Sequence, residues 1–131
     1  MSNRLERTIN LLADLVAFPT VSGEPNDAII GYIKTYLESH GLAVSLDVTD
    51  DGQQMNLVAT IGPPVEGGII LCGHTDVVPA SSEEWQGDPF ILRRDRGRLY
   101  GRGAVDMKGF VAIVLAVVPD FVALRDKLRV P

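Results

Sequence analysis

Gly68-Ile69-Ile70-Leu71-Cys72-Gly73-His74-Thr75-Asp76 is the stretch on which the fold turns. Ile69 to Cys72 is a short, unbroken apolar run between glycines. An alternating run would suit a half-exposed strand, whereas an unbroken one suits a strand buried on both faces at the centre of a sheet. Gly73 ends the run, and His74 and Asp76 follow at once. Open α/β sheets bind their ligands in loops at the C-terminal ends of strands. The same nine residues therefore predict both a central strand and the start of a site.

Upstream, Leu5, Ile9, Leu12, Leu15 and Val16 recur at helical spacing, and the pattern stops before Phe18-Pro19. Thr20 to Pro25 is a Ser, Gly and Pro-bearing loop. Asn26 is positioned to cap a second helix with Ile29, Ile30, Ile33, Tyr36 and Leu37 on its apolar face, closed by Gly41. Val44 to Val48 alternates like a half-buried strand, Asp50-Asp51-Gly52 is a turn, and Asn56 to Ile61 is a second strand. Downstream, strands around Phe90 to Arg93 and Arg98 to Tyr100 suit a hairpin over Asp95-Arg96-Gly97. An apolar helix is expected over Phe110 to Val118, with Pro119 stopping or kinking it. Helices and strands alternate, so the expected class is α/β, a mixed and largely buried sheet flanked by helices.

The 131 residues suit one small domain or a piece of a larger one, and 46% hydrophobic with 22% charged is an ordinary globular balance. A net charge of -5 argues against nucleic acid as the main partner, because phosphate binding needs a basic field. The single cysteine, Cys72, allows no internal disulfide and points to an intracellular life. The opening Met1 to Arg7 mixes charged and apolar residues and does not read as a signal peptide, and the apolar run from Phe110 is too short to cross a bilayer. A cytoplasmic protein with no membrane partner is expected.

Two constellations carry chemistry. In His74-Thr75-Asp76, residues two apart in extended chain face one side, so Asp76 can reach one ring nitrogen of His74 and leave the other free for a metal. A short motif of this kind also occurs as a core histidine paired with a surface aspartate. In Gly101-Arg102-Gly103-Ala104-Val105-Asp106-Met107-Lys108-Gly109, an aspartate sits between glycines at a strand-to-helix junction. One carboxylate there can bridge two divalent ions, or can simply cap the following helix. Asp106 stands where a dinucleotide loop would need its third glycine, so that reading fails.

Asp106 follows Asp76 by 30 residues, and the ordered text around both resembles a known family. Gly73 to Pro79, Trp85 to Phe90, Leu99 to Gly103 and Asp106 to Gly109 are similar to the dinuclear zinc aminoacylases and carboxypeptidases of the M20 type. Leu15 to Ser22 and Asn56 to Pro63 look most like the acetylornithine deacetylase branch, with succinyl-diaminopimelate desuccinylase as the alternative. The resemblance implies that His74 ligates one zinc ion, that Asp106 bridges two, and that Asp76 orients His74 as a catalytic-site residue. Lys108 and Gly109 belong to the motif without an assigned role. Zinc, replaceable by cobalt, would polarise an amide carbonyl and lower the pKa of water. The implied reaction is hydrolysis of a small N-acyl amino acid, N-acetylornithine to ornithine and acetate in arginine biosynthesis.

The family also uses a downstream Glu-Glu pair as base and ligand, a further acidic ligand, a distant histidine, and a smaller domain that makes a homodimer. None of those motifs occurs up to Pro131. Residues 1–131 are therefore expected to be the N-terminal portion of the catalytic metal-binding domain, marginally stable and inactive alone, with an open edge beside the central strand. Glu83-Glu84 precedes Asp106 and reads as a solvated loop. Cys72 reads as an inert strand cysteine, His40 as a helix-end residue, and Trp85 as packing near the metal strand.

Overall fold

The computed structural model describes residues 2–131; Met1, the first residue of the charged opening, lies outside them. The elements in order are α1 (Ser2–Val16), α2 (Asp27–Ser39), β1 (Val44–Val48), β2 (Met55–Ala59), β3 (Arg93–Asp95), β4 (Arg98–Tyr100) and α3 (Gly109–Ala123). The core is helical. Leu11, Leu12, Leu15 and Val16 of α1 meet Ile29, Ile30, Ile33 and Leu37 of α2 and Ala112, Leu115, Ala116 and Val118 of α3. Each fully buried Leu or Ile contributes about 1.5–3 kcal/mol by leaving water. Of the face read from the spacing of α1, Leu12, Leu15 and Val16 enter the core, whereas Leu5 is 58% exposed and the buried Leu11 lies outside that reading.

The α/β class stands, but the strands do not form one buried sheet. They make two separate antiparallel pairs, β1 with β2 and β3 with β4. Val44 faces Ala59 and Val48 faces Met55 in the first pair. The second is the expected hairpin, beginning at Arg93. Its turn puts Arg96 at φ 47° and Gly97 at φ 77°. Two successive left-handed residues match the twist of a tight hairpin.

Three sequence expectations are corrected. The central strand over Gly68 to Cys72 does not form: Ile69 and Ile70 are 79% and 90% exposed, and Cys72 is exposed rather than buried. An apolar strand is buried only when sheet neighbours flank it, and each strand here pairs within its own hairpin. The segment is held by Ile69 N–H donating to the Pro131 carbonyl at 3.1 Å. Next, α3 runs through Pro119 to Ala123. Pro119 has no N–H for the carbonyl of Leu115, four residues back, and the Tyr36 hydroxyl donates to that carbonyl instead at 3.1 Å. Finally, Asn26 makes no side-chain cap to α2. Its amide instead clasps the Met55 backbone, donating to the carbonyl at 3.0 Å and accepting the N–H at 2.8 Å. That exchange ties the start of α2 to β2.

Candidate metal centre

The extended segment Thr75 to Val77 is pinned to the Thr20–Ser22 loop. Val21 and Val77 form a parallel bridge. Val77 N–H donates to Thr20 O at 2.8 Å, and Ser22 N–H donates to Val77 O at 3.0 Å. The Thr20 hydroxyl donates to Thr75 O at 2.6 Å. With its backbone fixed, the histidine ring is gripped at both nitrogens. His74 Nδ1 lies 3.1 Å from both the carbonyl and Oδ1 of Asp76. Nε2 lies 3.0 Å from Oδ1 of Asp106. The i, i+2 geometry read from the sequence is what places Asp76 under the ring. The other carboxylate oxygen of Asp76 accepts the Ser22 hydroxyl at 2.5 Å. That hydrogen bond is the main reason the Asp76 carboxyl is held below the usual range, aided by the neighbouring His74 against a modest burial penalty.

The Asp106 loop is shaped by its glycines. Gly103 has φ 80°, and a Cβ there would sit 2.5 Å from Val77 Cγ1. The two loops of the site therefore approach as closely as they do because this residue has no side chain. Asp106 itself is non-helical, at φ -123° and ψ 93°, and the peptide joining it to Met107 is cis. Its side chain is 85% exposed and makes no cap to α3, so the helix-capping alternative falls. Lys108 points the opposite way. It is fully buried, donates from Nζ to Phe18 O at 2.6 Å, and burial pushes its pKa down to about 8.

These loops line a cleft of about 390 Å³ that includes Ser22, His74, Asp76, Trp85, Arg102 and Asp106. The Arg102 guanidinium lies 5.2 Å from the centre of the Trp85 ring. The three residues singled out in the sequence, His74, Asp76 and Asp106, are thus brought together. His40 is at the end of α2 as expected, its Nδ1 2.8 Å from Tyr36 O. Glu83 and Glu84 are exposed. Ser22 and Lys108 are the contacts that residue-by-residue reading missed. Ser22 lies 54 positions from its partner, and only the family-like text from Leu15 to Ser22 flagged its neighbourhood.

The donor set suits zinc. Two ligands on a tetrahedral ion with arms of about 2.1 Å stand roughly 3.4 Å apart. His74 Nε2 and Asp106 Oδ1 are 3.0 Å apart, so a shift of a few tenths of an ångström would admit an ion between them. Imidazole nitrogen with carboxylate oxygen is also a donor pair that zinc accepts. Among the described residues, no group of three or more His, Cys, Asp or Glu side chains gathers around one point.

Known proteins carry the same arrangement of text. The family model described as Peptidase family M20/M25/M40 matches residues 70–131, the half of the chain that holds His74, Asp76 and Asp106. These residues are similar to that peptidase family. The whole chain is similar to the acetylornithine deacetylase of Proteus mirabilis, 37% identical over 127 residues, covering 92% of this chain and 33% of that protein. It is also similar to the succinyl-diaminopimelate desuccinylase of Rickettsia felis, 42% identical over 119 residues, covering 87% of this chain and 31% of that protein. Among solved structures, human carnosine dipeptidase 1 superposes with a TM-score of 0.75 at 28% identity, covering 94% of this chain and 29% of that one. The chain therefore spans about a third of the length of the curated relatives it matches.

Proposed function

We propose that residues 1–131 are the N-terminal portion of the catalytic domain of a metal-dependent hydrolase that cleaves N-acyl amino acids, with N-acetylornithine as the substrate. The observation that carries this reading is the His74 ring, held at Nδ1 by Asp76 and facing Asp106 with Nε2. In this reading His74 and Asp106 would hold zinc, with the Asp106 carboxylate also available to a second ion, and Asp76 fixes the His74 ring so that Nε2 is free to coordinate. The chemistry such ions supply is Lewis acidity toward an amide carbonyl and toward water. Trp85 and Arg102, close to one another, line the space in which a small acylated amino acid would sit. The general base, the remaining ligands and the surface for a homodimer are contributed by the longer protein that the relatives' length implies. The likeness to acetylornithine deacetylases, together with the Leu15–Ser22 text, favours the acetyl substrate. The 42% identity to a desuccinylase keeps N-succinyl-diaminopimelate as the second reading, with identical bond chemistry.

The test is zinc content and hydrolysis of both substrates, measured for the 131-residue chain beside a chain of the relatives' full length. The expected result is about two zinc ions and turnover of N-acetylornithine in the long chain only. His74→Ala and Asp106→Ala should each abolish both. Turnover by the short chain alone would refute this account of the base and make Glu83 or Glu84 the first residue to change. Turnover of the succinyl substrate only would move the assignment to the desuccinylase.

A further inference from the structure

We infer that Ser22 is a positioning residue for the metal centre: its hydroxyl fixes the carboxylate of Asp76, and through it the orientation of the His74 ring. This rests on the functional reading above and assigns to the N-terminal loop a part in it.

The geometry is specific. A carboxylate on a single methylene rotates freely unless both oxygens are engaged. Ser22 Oγ donates to Oδ2 of Asp76, and Oδ1 then faces Nδ1 of His74 at 3.1 Å. A Ser hydroxyl has one proton to give, and this one is committed: Val77 O, its other neighbour, is 3.5 Å away. Ser22 is itself immobilised through the main chain, by its N–H to Val77 O and by the Val21–Val77 bridge. The chain of constraint is continuous from backbone to Ser22, to Asp76, to the His74 ring, and to Nε2 beside Asp106. The same loop holds the other half of the site, because Phe18 O accepts Lys108 Nζ at 2.6 Å, two residues beyond Asp106. One segment, Phe18 to Ser22, thus sets the spacing of both loops.

Removing the hydroxyl leaves the backbone pinning intact, so Ser22→Ala should fold as the parent does. Its consequence is read at His74. The only other histidine is His40, so long-range proton–nitrogen NMR of the metal-free chain resolves two rings. In the parent, Nδ1–H of His74 has two acceptors on Asp76, and this tautomer should dominate at a fixed alkaline pH. Ser22→Ala should shift the balance toward Nε2–H, which faces Asp106, and Ser22→Thr should restore it. Zinc affinity of a chain of the relatives' length, measured by competition with a chromophoric chelator, should fall about 10-fold in Ser22→Ala and recover in Ser22→Thr, the scale typical of groups that support a ligand. An unchanged His74 spectrum and unchanged zinc affinity in Ser22→Ala would overturn the inference, and would mean that water replaces the hydroxyl at this exposed site. A shifted tautomer in Ser22→Ala, with zinc binding by the chain of the relatives' length no better than that of its His74→Ala variant, would leave Ser22 as the determinant of ring orientation and refute the metal reading instead.

Discussion

Tyr36→Phe isolates the contact that lets α3 pass through Pro119. The Leu115 carbonyl has lost its helical donor to the proline ring, and the Tyr36 hydroxyl at 3.1 Å replaces it. Deleting that hydroxyl leaves a partly buried carbonyl without a partner, at a cost of about 1–3 kcal/mol. We take about 1.5 kcal/mol, because Tyr36 is only half-buried and water can reach part of the gap. For a chain of this size that corresponds to a fall in Tm of roughly 5–6 °C. The same contact makes a sharper prediction in a double-mutant cycle. Pro119→Ala restores an N–H aimed at the Leu115 carbonyl and raises helix propensity. In that background Tyr36→Phe should cost about 1 kcal/mol less than in the parent, a coupling typical of groups sharing one partner. Urea unfolding followed by far-UV circular dichroism measures all four chains. Equal costs of Tyr36→Phe in the two backgrounds would refute the idea that Tyr36 substitutes for the missing N–H.

Three further outcomes are expected. Lys108 has a pKa lowered to about 8 in the folded state against 10.5 for the free side chain, so the unfolded chain binds more protons between those values; stability should rise as pH increases from about 8 to about 10.5, and Lys108→Met should flatten that rise in urea midpoints. Gly103→Ala places a methyl group 2.5 Å from Val77 Cγ1 at a φ of 80°, and should cost about 2 kcal/mol or more in thermal unfolding, because the His74 and Asp106 loops are pushed apart. Ile70→Lys, at a residue 90% exposed, should leave the unfolding midpoint unchanged and lower aggregation of the 131-residue chain in light scattering, because it breaks the exposed apolar run from Ile69 to Leu71.

The parts of the molecule legible in its sequence are those whose signal is local. Helical spacing in α1 and α2 marks most of the residues that become the core, though Leu5 is exposed and Leu11 is buried in its place, and Asp95-Arg96-Gly97 marks a hairpin because a turn is decided by its own few residues. His74 and Asp76 were readable as a pair because extended chain puts i and i+2 on one side. The failures are long-range. Whether Asn26 caps a helix or clasps Met55 depends on a strand 29 residues away. Whether Pro119 ends α3 depends on a hydroxyl 79 residues from the carbonyl it serves. Ser22 and Lys108 carry no metal-ligand or catalytic signature of their own, and they acquire meaning only when the Phe18–Ser22 segment lies across both loops.

The exposed run Ile69 to Leu71 follows from the same physics in reverse. Its composition is that of a strand meant to be covered, and it leads directly into His74. In the described residues both hairpins are closed on themselves, and neither lends it an edge. The site nevertheless keeps its geometry, because the positions of His74 and Asp76 are fixed from the other side, by Thr20, Val21 and Ser22. Pairing of Ile69 to Leu71 with further strands would therefore add burial and stability without being needed to bring His74 to Asp106. The geometry of the His74–Asp106 site and global stability are separable in this chain: charges introduced at Ile70 should leave the His74 spectrum unchanged, while a methyl group added at Gly103 should alter it.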